Sequence, residues 1–279
     1  MWKLSKKQII FFVGFLFFLI FACDNYSWRP IQSEEYQSDN LSGKDFNHTG
    51  WNGLDVSGKN FRGANFRDSS LWDTNFSRCD LRDVDFRGAS LVRTNFSGAD
   101  LRGAKLEGAW IVEVDFTDAI LDEKWARLVD LIETGIGRGQ DFSGFDMSNI
   151  TFDNNLDLEG ANLSGVNLSR TSLHFCNLRY ADLSYANLQW ADLDHCHLGS
   201  SNLVNANLQD TNLGTANLSD ADLTGANLQG ADLTATNLSG ATITEQQIRS
   251  AARIDCAIMP DGDFRIDNSQ QCRFLIPPE

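Results

Sequence analysis

The residues suited to chemistry in this chain are few, and they recur at fixed intervals. His195-Cys196-His197, with His174 nearby, is a donor set of the kind that binds zinc. Cys176 and Cys196 stand 20 residues apart. Phe175, Tyr180, Tyr185, Trp190 and His195 fall on every fifth position, and Tyr185 and Trp190 are candidates for contact with a protein partner or a sugar. Arg62, Arg82 and Arg102 form one series at intervals of twenty, with Arg67 and Arg87 offset from it, and such a column can hold an anionic partner. Asp or Asn precedes nearly every leucine, so carboxylate pairs for acid–base work can be picked out at many spacings. There is no Gly-rich phosphate loop, no CxxC pair and no HExxH.

What must position these groups is a five-residue beat. Over residues 161–243 a leucine, or finally an isoleucine, falls on every fifth position, and a small residue stands two places before it. Five is neither the 3.6 period of a helix nor the 2 of a strand. A short repeat of this kind marks a solenoid, in which each coil buries its apolar residues by stacking on the next. The same beat runs from Leu41 through Phe61, Phe86 and Leu106 to Leu121, with degenerate first repeats.

The unit Ala-(Asp/Asn)-Leu-x-Gly, as in Ala161-Asn162-Leu163-Ser164-Gly165 and Ala221-Asp222-Leu223-Thr224-Gly225, resembles the pentapeptide repeat proteins. The likeness covers about 200 residues in roughly 37 repeats. It implies an all-β solenoid: a right-handed quadrilateral β-helix with four repeats per coil, the central Leu or Phe and the small residue pointing inward. Four repeats per coil predicts ladders of like residues at a spacing of 20. Arg62, Arg82 and Arg102 form one; Gln189, Gln209 and Gln229 form another. In that register Cys196 points in and is expected, with Cys176, to be a small buried hydrophobe. His195 and His197 point out, so the metal cluster dissolves and no metal is expected. The Asp and Asn before each leucine become repeat residues, and no catalytic set survives. The chain reads as a non-enzyme without cofactors.

The beat stops at residues 122–140. Asp122 suits an N-cap, Trp125, Leu128, Val129 and Ile132 share a helical face, and Gly135 suits the stop, which predicts one amphipathic helix and a loop. It resumes at Phe142 and Met147 and then slips by one residue before Leu158, predicting a bulge over residues 154–157. After Ile243, Thr244-Glu245-Gln246-Gln247 is a capping box with Ile243 and Ile248 as a staple, predicting a short helix to about Ile254 that closes the last coil. Cys256 and Cys272 flank the tail that follows and are expected to pair in an oxidising compartment.

The N-terminus is of another kind. Lys3, Lys6 and Lys7 precede an apolar stretch over residues 9–22, too short for the roughly 20 residues of a membrane span and suited to a secretory signal. Leu19-Ile20-Phe21-Ala22-Cys23 resembles the lipobox of bacterial lipoproteins, although Phe21 is bulky for its position; the resemblance implies lipidation at Cys23. If it holds, Asp24 resembles an inner-membrane retention signal. An uncleaved short anchor is the alternative. The expected organisation is therefore a signal and anchor over 1–23, a polar tether over 24–40, repeat segments over 41–121 and 141–243 separated by the 122–140 insert, and a capping helix and tail over 244–279.

Charge divides the two segments. Residues 41–121 hold about 10 Lys/Arg against 12 Asp/Glu, and 141–243 about 2 against 12, within a net charge of -15. That balance excludes a general nucleic-acid binder. The expected function is a membrane-tethered structural or protein-interaction module outside the cytoplasm, with the partner unnamed by the sequence. Two alternatives follow. The resemblance implies one, since some pentapeptide repeat proteins mimic duplex DNA with an acidic rod and bind DNA gyrase; the other is a carbohydrate or peptidoglycan binder using Tyr185 and Trp190.

Overall fold

In the computed structural model, residues 28–150, 152 and 156–263 are described. Regular secondary structure is sparse: β1 (Arg29–Pro30), α1 (Ser33–Tyr36), β2 (Thr49–Gly50), α2 (Glu123–Thr134) and α3 (Glu245–Ser250). The architecture lies instead in single parallel bridges between residues twenty apart, such as Asn60↔Asp80↔Asp100 and Asn187↔Asn207↔Asn227. Each coil thus takes twenty residues and lies one β-ladder spacing, about 4.8 Å, from the next.

One repeat shows why the unit is five residues long. Leu183 N–H donates to Asn202 O at 2.7 Å and Tyr185 N–H to Val204 O at 2.9 Å, tying the coil to the one above. Ala186 N–H donates back to Leu183 O at 3.0 Å and closes a tight turn. Tyr185, third in that turn, has φ +58°, the left-handed conformation a type II turn demands. The chain therefore turns a corner every repeat, with Leu183 and Ala186 facing the interior and wholly buried.

The core is a set of axial stacks. In the first segment phenylalanines lie over one another, with Phe66 on Phe86 at 5.5 Å and Phe76 on Phe96 at 5.7 Å between ring centres. In the second segment leucines and alanines replace them. Each buried Leu or Phe stabilises by roughly 1.5–3 kcal/mol. Buried threonines in the small slot, such as Thr94 and Thr211, donate to interior carbonyls of the preceding coil, at 2.8 and 2.7 Å.

The ladder is interrupted at α2. Among the described residues the last bridge of the first segment is Asp100↔Ile120 and the first of the second is Ile136↔Asp157, and none joins the facing coils across the insert. The apolar core is nevertheless continuous through α2. Trp125, Leu128 and Leu131 are its buried residues, with Val129 and Ile132 only partly buried, so the face is rotated from the expected one. Gly135 caps α2 in the left-handed region. Asp122 occupies the N-cap position, but its carboxylate accepts from Gly103 N–H at 2.8 Å rather than from the helix. On the other side Arg127 donates to Asp141 O at 2.6 Å. The helix is thus pinned to both segments while replacing the ladder between them.

The expected one-residue slip is present as a change of bridge spacing. Ile136↔Asp157, Asp141↔Asn162 and Asp146↔Asn167 are 21 apart, and twenty resumes at Asp157↔Asn177. Of the bulge expected over residues 154–157, residues 154 and 155 lie outside the described residues.

Both ends of the solenoid differ from expectation. Residues 28–40 do not form a free tether. β1 pairs in parallel with β2, Ile31 and Tyr36 pack on the core, and Trp28 Nε1 donates to Asp68 O at 3.0 Å. Arg29 forms a bidentate pair with Glu35, holding that carboxyl down to about 2. This segment caps the first coil. At the other end α3 has the expected capping box between Thr244 and Gln247, yet it is shorter than expected and does not lie across the coil end. It forms one side of a further coil, which rejoins the ladder at Asp232↔Arg253 and Asn237↔Ile258. The amide of Gln247 donates to Leu223 O and Ala226 O at 2.7 and 2.9 Å, replacing the ladder donors that a helix cannot supply.

Candidate interaction surfaces

The fold sorts the candidate residues by which way their repeat position points. Cys176 and Cys196 both face the interior, 4.8 Å apart between Cα atoms, and form a disulfide. The expectation of two separate buried thiols is corrected: a parallel rung places Cα atoms within the 4.4–6.8 Å that a disulfide spans. Cys79, in the same slot of the first segment, is a free buried thiol whose pKa burial raises to about 11, so it is unreactive. Cys256 is disulfide-bonded. Cys272 and Cys23 lie outside the described residues.

The histidines are dispersed. His174 pairs with Asp192 at 2.8 Å, and His195 accepts from or donates to Thr215 at 2.8 Å. Among the described residues no group of His, Cys, Asp and Glu is arranged to hold a metal ion.

The arginine columns exist as expected, but they are occupied internally. Arg82, Arg87 and Arg102 each form a bidentate pair with the aspartate two residues earlier, Asp80, Asp85 and Asp100. Arg62 reaches Asp83 at 3.3 Å, and Arg67 lies 3.8 Å from Asp85. The geometry follows from the repeat. The aspartate precedes the leucine and the arginine follows it, so both project from one face of the rung.

Those arginine bonds hold the Asp80, Asp85 and Asp100 carboxyls below the usual range. A carboxyl depressed on folding stabilises above its unfolded value, near 3.9, and loses that contribution as pH falls through the folded value. The arginines are more than a third exposed, so the effect is small. The triple substitution Arg82→Gln/Arg87→Gln/Arg102→Gln is expected to lower the melting temperature at neutral pH by no more than about 5 °C. The gap from wild type should narrow as pH falls below about 3.9 and through the lowered folded values. Melting curves across that range check it.

The aromatic positions form a collar. Phe175, Tyr180, Tyr185 and Trp190 take the four corners of one coil and are 54%, 56%, 67% and 47% exposed. All four have φ near +58°, where bulky side chains are rare and where most other repeats place Gly, Asp, Asn or Ser. Cationic or imidazole groups flank three of them. His195 stacks on Phe175 at 4.8 Å, Arg170 lies over Trp190 at 4.7 Å and Arg179 beside Tyr180 at 5.3 Å. Arg170 and Arg179 are also the two basic residues of the acidic 141–243 segment.

The pentapeptide-repeats family matches in 8 copies over residues 52–83, 79–118, 138–170, 161–199 and 201–240, on both sides of α2. The chain belongs to the pentapeptide repeat family. Solved structures of this family align along it. HetL, a pentapeptide repeat protein involved in heterocyst differentiation regulation from the cyanobacterium Nostoc sp. strain PCC 7120, is 26% identical over 84% of this chain and 95% of its own, with a TM-score of 0.24. Trypsin-treated QnrB1, a plasmid-mediated fluoroquinolone resistance protein, is 17% identical over 77% and 89%, with a TM-score of 0.31. A pentapeptide repeat protein from the Arabidopsis thaliana thylakoid lumen is 25% identical over 50% and 88%, with a TM-score of 0.24. No curated protein matches the chain.

The pentapeptide repeat sets the shape of the surface among the described residues. Loops are short because each corner is a single tight turn, so few side chains converge. One open depression, of about 640 Å³ beside α3, is lined by Gly225, Asn227, Gln229, Thr244 and Gln247 among others, none of them titratable.

Proposed function

We propose that this pentapeptide repeat protein is a non-enzymatic, membrane-tethered structural and protein-interaction module of the bacterial envelope, built as a right-handed quadrilateral β-helix. Its organisation is a leader over 1–23, repeat segments over 41–121 and 141–243, the 122–140 insert between them and a closing region over 244–279. The observation that carries the interaction role is the collar. Exposed Trp, Tyr and Phe beside Arg is the composition that dominates binding energy at protein interfaces, and it stands on a rod without a catalytic cleft.

The tether rests on the sequence of residues 1–23, which lie outside the described residues. Among the described residues no helix is long and apolar enough to cross a membrane. The buried Cys176–Cys196 disulfide and the bonded Cys256 suit an oxidising compartment, where such bonds persist. Only residues 24–27 separate Cys23 from Trp28, where the cap of the solenoid begins. The five residue steps from Cys23 to Trp28 reach at most about 18 Å, so a lipid at Cys23 holds the first coil close to the headgroups. Labelling cells with a palmitate analogue is expected to mark the wild-type chain and not Cys23→Ser. Equal labelling of both removes the lipid anchor.

The acidic 141–243 segment favours a second reading, a DNA-like rod for gyrase. Against it stand the export-type leader and α2, which interrupts the rod ahead of the acidic segment.

A further inference from the structure

Over the four coils from Asn167 to Asn227, one face of the second segment carries no charged side chain between its corners; below them the same column begins at Asp146, which accepts from Asn167 Nδ2 at 3.0 Å. Its first outward column is Asn167, Asn187, Asn207 and Asn227; its second is Ser169, Gln189, Gln209 and Gln229. The neighbouring faces hold Asp192, Asp194 and Asp232 on one side and Asp182 and Asp222 on the other. The asparagines form an amide ladder, each Nδ2 donating to the Oδ1 of the coil before it, at 3.0, 3.2 and 3.2 Å. Each amide nitrogen has two hydrogens and spends one in the ladder, which leaves a donor per rung. Among the described residues the side-chain amides of Gln189 and Gln229 make no hydrogen bond, whereas Gln209 reaches the corner residue Asp210 at 3.1 Å.

Two collar rings bound this face at the same rung. Tyr185 stands at one edge and Trp190 at the other, with Asn187 and Gln189 between them. The Arg170 guanidinium over Trp190 holds that ring in place. Together these make a strip of amide groups about 14 Å long, since three ladder spacings separate its four rungs, with an aromatic ring at each edge of one rung.

We propose that this strip binds a neutral, linear polysaccharide lying along the rod axis between Tyr185 and Trp190. Three features select that occupant. Amides both donate and accept, as sugar hydroxyls do, so a row of them matches a hydroxyl-rich chain without a net charge on either side. The C–H face of a pyranose is weakly positive and stacks on the negative face of an aromatic ring. The acidic neighbouring faces would repel an anionic polymer, and Arg170, the cation at the Trp190 corner, is engaged on that ring. The inference goes beyond the tethered-rod reading and holds whether or not Cys23 is lipidated.

The test uses the purified full-length chain in detergent, sedimented with microcrystalline cellulose, with chitin and with purified peptidoglycan sacculi. Binding to at least one polymer is expected, unchanged between low and high salt because no ion pair forms. Binding only to sacculi identifies a cell-wall strand as the source; binding to cellulose or chitin identifies a neutral glycan from elsewhere. Tyr185→Ala and Trp190→Ala should each weaken binding by about tenfold or more. Gln189→Glu should weaken it too, while Phe175→Ala, on another corner, should not. All four variants replace exposed or half-exposed side chains, and unchanged melting curves show that they fold. Failure to sediment with any of the three polymers overturns the proposal. So does wild-type binding by Trp190→Ala, or loss of binding at high salt.

Discussion

Leu203→Asp is expected to unfold the second repeat segment while leaving the first folded. Leu203 is wholly buried in the leucine stack, its N–H donates to Asp222 O at 2.8 Å, and Leu183 and Leu223 lie in the rungs on either side. The substitution removes roughly 1.5–3 kcal/mol of burial and places a carboxylate where no partner exists. A cost of about 5 kcal/mol or more follows, at the extreme end for a single change. In a solenoid that loss spreads only through nearest neighbours. Coils 156–258 share an unbroken ladder, so they should fail together. The ladder stops at α2, where apolar packing and a few polar contacts alone connect the segments. Limited proteolysis of Leu203→Asp should therefore leave a resistant fragment containing residues 28–121. Leu81→Asp, the corresponding change in the first segment, should leave a fragment from the second. Complete digestion of both variants would mean that α2 couples the segments as tightly as a ladder does.

How much of this was legible beforehand depends on whether an interaction repeats. The inward set from Leu41 to Leu238 and the twenty-residue rungs could be read because every coil imposes the same constraint on the same position. Even the slip before Leu158 was visible, since one extra residue shifts every later rung, as Ile136↔Asp157 shows. Interactions made once left little signal. The cap over 28–40 depends on Trp28 reaching Asp68 and Arg29 pairing with Glu35, contacts with no period, so the segment resembled a linker. The buried face of α2 is set by what the two coil ends leave open, and a helical wheel does not contain that. At the collar the residue types were readable, but their worth depended on exposure and backbone conformation. The amide face was hidden for the opposite reason. Asparagine before leucine is the repeat's own residue, and the column Asn177, His197, Asn217 and Asn237 lacks Asp too, so only the glutamines beside it, Gln189, Gln209 and Gln229, set the amide face apart.

Removal of the Cys176–Cys196 disulfide is expected to lower stability by about 3 kcal/mol, the loop-entropy value for a closed loop of about this length. The sulfurs join adjacent rungs, and the residues beside them, Phe175 and His195, stack on each other outside. The bond thus fastens the coil that bears the collar to the next. Cys196→Ala isolates the covalent effect, because alanine already fills this interior slot at Ala181, Ala186 and Ala191, each essentially fully buried. Its packing cost should be small, and a fall in melting temperature of about 6–12 °C should come from the lost cross-link. Cys79→Ala is the control: it makes the same change in the same slot where no bond exists. Reductant should act differently from mutation. Both bonded sulfurs are buried, so reductant should leave the native wild type intact. After unfolding and refolding in reductant, which also opens the bond at Cys256, the wild type should melt with Cys196→Ala treated in the same way. If alkylation under denaturing, non-reducing conditions labels Cys176 and Cys196, the bond does not form. If Cys196→Ala melts with the wild type, the ladder alone holds these coils together.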